Sequence, residues 1–158
     1  MSVAFWLLVV TVGFHGLLAG ASFDVATVKL PTRRRIGSVA YANFARGNDL
    51  GNGLVVYPAA GIVAVLLVLA TTIATYVTHP SPVVLVPLLL ACAGTGAHSI
   101  CTAKAAPIML SLRRTPDEEA ILRATLDRFA FWHALRATFQ ISTFVVLLWA
   151  LVEAARQP

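Results

Sequence analysis

Between Leu50 and Ala103 the chain carries no Asp, Glu, Lys or Arg. That run decides which folds are open to it. It is long enough for two membrane crossings of roughly 20 residues each. His79-Pro80-Ser81-Pro82 divides it, because two prolines so close together cannot continue a helix. The remaining composition agrees: of 158 residues, 58% are apolar and only 12% charged, about half the charge of an ordinary soluble domain. The mean hydropathy is +0.81. The expected fold is an all-α polytopic membrane protein, a single four-transmembrane-helix bundle over residues 1–158. The spans are expected at about Val3–Thr27, Leu54–Val77, Val83–Lys104 and Phe129–Val152. The alternating apolar and polar segments of an outer-membrane barrel are absent from the sequence.

The ends of these spans carry their own signals. Thr115-Pro116-Asp117-Glu118 reads as a capping box, with Thr115 as N-cap and Pro116 at the first helical position. The last helix is therefore expected to start well before the bilayer. Ala19-Gly20-Ala21 resembles a signal-peptide cleavage site, but no positively charged leader precedes it, which argues for a retained first span. Gly16-Leu17-Leu18-Ala19-Gly20 is a GxxxG that permits close helix contact. The loop from Pro31 to Gly53 is long, and residues 38–45 are expected to form a short helix on the membrane surface.

Charge sets the expected orientation. Lys29, Arg33, Arg34, Arg35 and Arg46 lie in or beside the first loop, and Lys104, Arg113, Arg114, Arg123 and Arg128 lie in or beside the third. The positive-inside rule then puts those two loops in the cytoplasm and both termini outside, in a plasma membrane of bacterial inner-membrane type. The same asymmetry accounts for the net charge of +5. Arg33-Arg34-Arg35 is read as a cluster facing anionic lipid, not nucleic acid. The lipid bilayer is thus the first expected partner, and a homo-oligomer remains open.

Within the last span, steps of three and four place His133, Arg136, Gln140 and Thr143 on one helical stripe. A cation at membrane depth costs about 2.5–3.5 kcal/mol on insertion scales unless it finds a partner or water. Intramembrane ionisable groups therefore read first as functional. His98 shares a face with Thr95 and Thr102 on the third span, about 9 Å inside Lys104, while His133 lies about 8 Å inside Arg128. His15 sits nearer mid-membrane. These residues are expected to converge on a polar pocket open toward the cytoplasm, although His15 could equally be an interhelical tie worth about 0.6 kcal/mol. Asp24 and Asp49 are candidate counter-charges to Arg136, but both fall near an interface, where solvated or capping roles suit them better.

Other chemistries are weakly signalled. Cys92 and Cys101 are nine residues apart, about 13 Å along one helix, too far for a disulfide. Neither belongs to a CxxC pair, so they read as packing residues. No HExxH motif or pair of histidines at i, i+4 marks a metal site, and no metal is expected. No cofactor is expected either, though a haem between His98 and His133 or His15 stays open as an alternative. A proton-coupled exporter would need a carboxylate embedded in the membrane, and Asp24, the one acidic residue within the expected spans, falls near an interface.

The chain resembles the anthrone oxygenase-like family of small four-helix membrane proteins. The resemblance rests on Trp132-His133-Ala134-Leu135-Arg136, on Ala106-Pro107-Ile108-Met109-Leu110, and on the Gly-rich first helix ending near Phe23 before Pro31. It also includes the segment from Phe44 to Asn52 and Pro58 in the second helix. Met109 and Leu110 depart from it, standing where the family often has asparagines. The resemblance implies oxidation of an anthrone to an anthraquinone by O₂, with no recognised metal or flavin. Arg136 would then stabilise an enolate or phenolate oxygen, and His133 would be the base that takes the carbon-bound proton. Trp132 and Phe129 would wall a flat aromatic substrate, and Gln140, His98, Thr102 and His15 would line the rest of its site. Two other functions remain open: a haem- or quinone-binding redox protein, and a non-enzymatic assembly or transport subunit.

Overall fold

The computed structural model describes residues 2–78 and 81–157. The chain is helical almost throughout: α1 spans Val3–Asp24, α2 Leu30–Ile36, α3 Ser38–Asn48, α4 Gly53–Thr78, α5 Pro82–Ser111 and α6 Glu119–Ala155. A π-turn at Val25–Lys29 joins α1 to α2 without a break, so Val3–Ile36 is one rod. This rod and the three helices α4, α5 and α6 are each long and apolar enough to cross a membrane. The all-α, four-span bundle expected from the sequence is therefore the fold. α1 packs on α4 and α6, and α5 packs on α4 and α6, which closes the four into a ring. Connections 37–52 and 112–118 lie at one end, here termed the basic end. The two termini lie at the other.

The first rod runs beyond the expected end near Thr27, and the loop expected from Pro31 is partly helix. The π-turn explains both. Leu30 is eight residues after Ser22, which in an unbroken α-helix would rotate it roughly 80° off the inward face. One wider turn absorbs that rotation, and Leu30 is buried as Ser22 is. The same turn eases the backbone ahead of Pro31, whose ring would otherwise crowd the preceding carbonyls. The rod ends at Gly37, where φ is +85°, a conformation glycine adopts without strain. The surface helix expected at residues 38–45 is α3, and it extends to Asn48.

The capping box at Thr115 does not form. Glu118 is the N-cap of α6 and makes no side-chain cap bond, while the Thr115 hydroxyl donates to the Ser111 carbonyl at 2.9 Å. Arg46 is the cause. Its guanidinium donates to the carbonyls of Leu112 and Thr115 and to the Asp117 carboxylate, at 2.9, 2.9 and 2.7 Å, which draws 112–117 onto α3 as a loop. Glu119 in turn accepts from the backbone N–H groups of Ser38 and Val39 and so caps α3. Of the proline-rich break between the second and third spans, His79 and Pro80 lie outside the described residues; Ser81 precedes α5 and Pro82 is its first residue.

The bundle has two apolar layers. At the basic end Leu30, Tyr41, Ala45, Met109, Leu122, Leu126 and Phe129 pack together. At the terminal end Leu8, Val12, Val68, Leu88, Ala91 and Leu147 do the same. α5 and α6 form the most extensive helix pair, and their buried residues recur in steps of three and four along a seam. Close approach there depends on Gly94, because a side chain at that position would collide with the Thr143 hydroxyl. The GxxxG is less of a contact than its spacing implies. Gly16 faces the Phe144 ring, with 3.0 Å available to a methyl group, but nothing lies near Gly20.

Gly94→Ala should destabilise the bundle by about 1–3 kcal/mol, the range for overpacking a tight contact. Gly13→Ala, whose new methyl meets open space, should instead stabilise it by about 0.5–1 kcal/mol through helix propensity. Unfolding midpoints of the two variants in detergent would check this, and the idea fails if both shift the same way.

Candidate functional site

Between the apolar layers lies a polar one, drawn from all four long helices. On α1, His15 and Ser22 are seven residues apart and share the inward face with Thr11. On α4 the contributing residue is Thr71; on α5 they are Thr95 and His98; on α6 they are His133, Gln140 and Thr143. All of these are buried. Of the stripe read from the sequence of the last helix, His133, Gln140 and Thr143 are thus buried in the bundle interior, and Arg136 is half-buried.

The hydrogen bonds fix the protonation pattern. Arg136 donates from Nη2 to Nδ1 of His133 at 2.7 Å. A guanidinium can only donate, so Nδ1 carries the lone pair and Nε2 the hydrogen. That Nε2–H donates to the Ser22 carbonyl on α1 at 3.3 Å. His133 is therefore neutral and engaged at both nitrogens. The Ser22 hydroxyl donates to Gln140 Oε1, which closes a second link between α1 and α6. Higher in the layer, the Thr11 and Thr71 hydroxyls are bonded at 2.7 Å. His15 donates from Nδ1 to the Thr11 carbonyl at 3.0 Å and accepts at Nε2 from Thr95 at 3.4 Å.

Two groups stand apart. His98 is 2% exposed, yet neither of its ring nitrogens has a hydrogen-bond partner among the described residues. Arg136 has a buried Nε without a partner, and no described carboxylate lies within salt-bridge distance of it. Asp24 pairs with Lys29 at 3.0 Å. Asp49 lies within electrostatic reach of Arg136 but bonds to the Tyr57 hydroxyl and the Asn48 amide. Burial pushes the Asp49 carboxyl above its ordinary value; the Tyr57 and Asn48 hydrogen bonds and the charges of Lys29 and Arg136 hold it down. Burial likewise pushes the Tyr41 phenol up to about 12.

The other residues singled out from the sequence are placed less favourably. Phe129 shares the His133 face, with ring centroids 5.6 Å apart, but it is already packed into the basic-end core. Trp132 is half-buried, one helix position round from His133, and meets Phe131 edge-on. Thr102 is half-buried and its hydroxyl donates to the carbonyl of His98 on its own helix. Ser22 and Thr71 were not singled out. Ser22 had a signal, since it falls on the His15–Ala19 face; Thr71 had none beyond its polarity.

No open chamber adjoins His98, His133 or Arg136 among the two cavities resolved. One, of about 380 Å³, lies at the terminal end between Phe5, Leu8, Thr75 and Val84. The other, of about 190 Å³, runs between the first rod and α6. The loosest wall near Arg136 is the start of α4, where no residue from 54 to 63 is buried and Tyr57 stands within electrostatic reach of the guanidinium. No protein-family model, curated protein or solved structure matches the chain.

Asp49 supplies a pH test. Its folded value is raised above the ordinary 3.8, so its contribution to stability is full below that value and is lost as the pH rises through the folded one. The thermal midpoint of wild type relative to Asp49→Asn should therefore fall as the pH is raised from below 3.8 toward neutrality. A constant difference across that range would refute the assignment.

Proposed function

We propose that this protein binds a flat, hydrophobic, oxygen-bearing aromatic or quinone-like ligand within the membrane, and that it oxidises an anthrone-type substrate with O₂. The observation that carries this reading is the half-buried Arg136 guanidinium, which among the described residues has no carboxylate partner and no partner for its Nε–H. Such a group is completed by a carbonyl or enolate oxygen, and a cation fixed before the reaction stabilises charge as it develops there. His133 acts as a positioning residue, since its Nδ1 orients the guanidinium and the Ser22 carbonyl orients His133.

The geometry favours His98 over His133 as the base, because among the described histidines only His98 has a ring nitrogen free to accept a proton. In the reaction, the base takes the proton from the carbon opposite the anthrone carbonyl, leaving an enolate whose oxygen faces Arg136. The enolate carbon adds O₂ and becomes a hydroperoxide when the proton returns. Loss of one water from that carbon leaves the second carbonyl, so anthrone and O₂ become anthraquinone and water. The sparsely buried first turns of α4 suit lateral access from the bilayer, with Tyr57 at the mouth. The charge asymmetry supports a cytoplasmic basic end, with both termini outside a bacterial-type plasma membrane.

Haem ligation is the second reading, supported by the orphaned ring of His98. A second axial ligand would have to break the bonds already made by His15 or His133, which weighs against a bis-histidine site. Oxygen uptake by the purified protein with an anthrone, together with its optical spectrum, tests both readings. Arg136→Ala should lower turnover about 100- to 1,000-fold, and His98→Ala about 100- to 10,000-fold. Anthrone-dependent uptake that survives Arg136→Ala would sink the oxygenase reading, and a reducible Soret band would replace it with haem.

A further inference from the structure

The groove between the first rod and α6 lies outside the polar layer. Its walls are apolar: Ala130 and Ala134 stand one turn apart on α6, and Ala26, Leu30 and Pro31 face them. Its mouth at the basic end carries Arg33 and Arg34. From Asp127, beside that mouth, to Ala134 is seven residues of α6, about 10 Å. The structure thus presents a slot with a dry, small-residue floor and a doubly cationic rim, on the outer surface of a membrane bundle.

The two arginines are incompletely used. Arg33 is held in place by donating from Nη2 to Asp127 at 2.6 Å, and its side chain is 13% exposed. Its other terminal nitrogen, Nη1, is buried with no partner. Arg34 is exposed and makes no ion pair or side-chain hydrogen bond among the described residues. Asp127 neutralises one of the two charges, so the rim keeps an excess of positive charge and several free N–H donors. An anion of tetrahedral oxygens suits that fork of donors, and an acyl chain suits the alanine floor beneath it.

We infer that the groove is a site for one anionic phospholipid, its phosphate on Arg33 and Arg34 and the start of an acyl chain along Ala130 and Ala134. This goes beyond a general attraction of basic loops to the membrane surface, because it assigns one lipid to one slot. It does not depend on the reaction proposed above.

Native mass spectrometry of the detergent-purified full chain tests the assignment, with phosphatidylglycerol, phosphatidylcholine and inorganic phosphate as probes. Phosphatidylglycerol should be retained at least about fivefold better than phosphatidylcholine, the effect of about one basic side chain at a membrane surface. Arg34→Gln, which breaks no ion pair or side-chain hydrogen bond among the described residues, should lower that preference by about fivefold. Ala130→Leu fills the slot without touching a charge and should lower retention of phosphatidylglycerol. Equal retention of the two lipids overturns the inference, as does a preference unchanged by either variant. Displacement of the lipid by inorganic phosphate at equal concentration also overturns it, because the slot would then hold a free anion.

Discussion

Arg136 donates to His133, and much of the bundle's interior is arranged around that hydrogen bond. A guanidinium cannot give up its charge in a protein, and among the described residues no carboxylate comes within salt-bridge distance of it. The imidazole lone pair that meets it must therefore be at Nδ1, which leaves the hydrogen on Nε2 and requires an acceptor on the facing helix. The Ser22 carbonyl is that acceptor. That carbonyl also accepts from the Val25 backbone N–H at the start of the π-turn, so it is shared between its own helix and the histidine. The wider turn thus has two consequences: it returns Leu30 to the core, and it sits beside the carbonyl that orients the histidine. Single π-turns in long helices recur at functional positions.

Apolar packing and buried polarity are spatially separated in this fold. The two apolar layers and the α5–α6 seam supply packing, which is what holds helices together once they are already in lipid. The polar layer between them adds little by comparison, since interhelical hydrogen bonds in membranes average about 0.6 kcal/mol. It also contains groups that detract from stability, above all the orphaned His98 ring and the Arg136 charge. An apolar replacement of the same shape at those positions would serve packing better. Costly groups retained in a layer that packing does not need are the physical argument that the layer is a site.

Much of this was legible in the sequence because membrane helices obey a short set of rules. The charge-free run and its proline break marked α4 and α5, and the three-and-four spacing placed His133, Arg136, Gln140 and Thr143 on one inward stripe. What could not be read was tertiary. Pro31 signals a helix end on its own, and only the preceding π-turn lets the rod continue past it. Thr115 matches a capping box locally, but Arg46, remote in sequence, pulls Asp117 and two carbonyls toward α3 and the box opens. The state of His133 depends on Ser22, which is 111 positions away, so no local pattern could tell that His98 and not His133 keeps its nitrogens free.

The same geometry ties the outer groove to the inner site. Ala134 follows His133 on α6, and Ala26 is one turn beyond Ser22 on the first rod, so the slot and the His133–Ser22 hydrogen bond lie on two sides of one helix–helix seam. At 3.3 Å that bond has little slack before it ceases to hold the ring. An occupant of the groove that pressed on this seam would bear on the orientation of His133 and, through Nδ1, on the guanidinium. The coupling needs no large motion. A shift of a few tenths of an ångström at the seam would alter the only described partner that fixes Arg136, while the apolar layers on either side kept the helices in register.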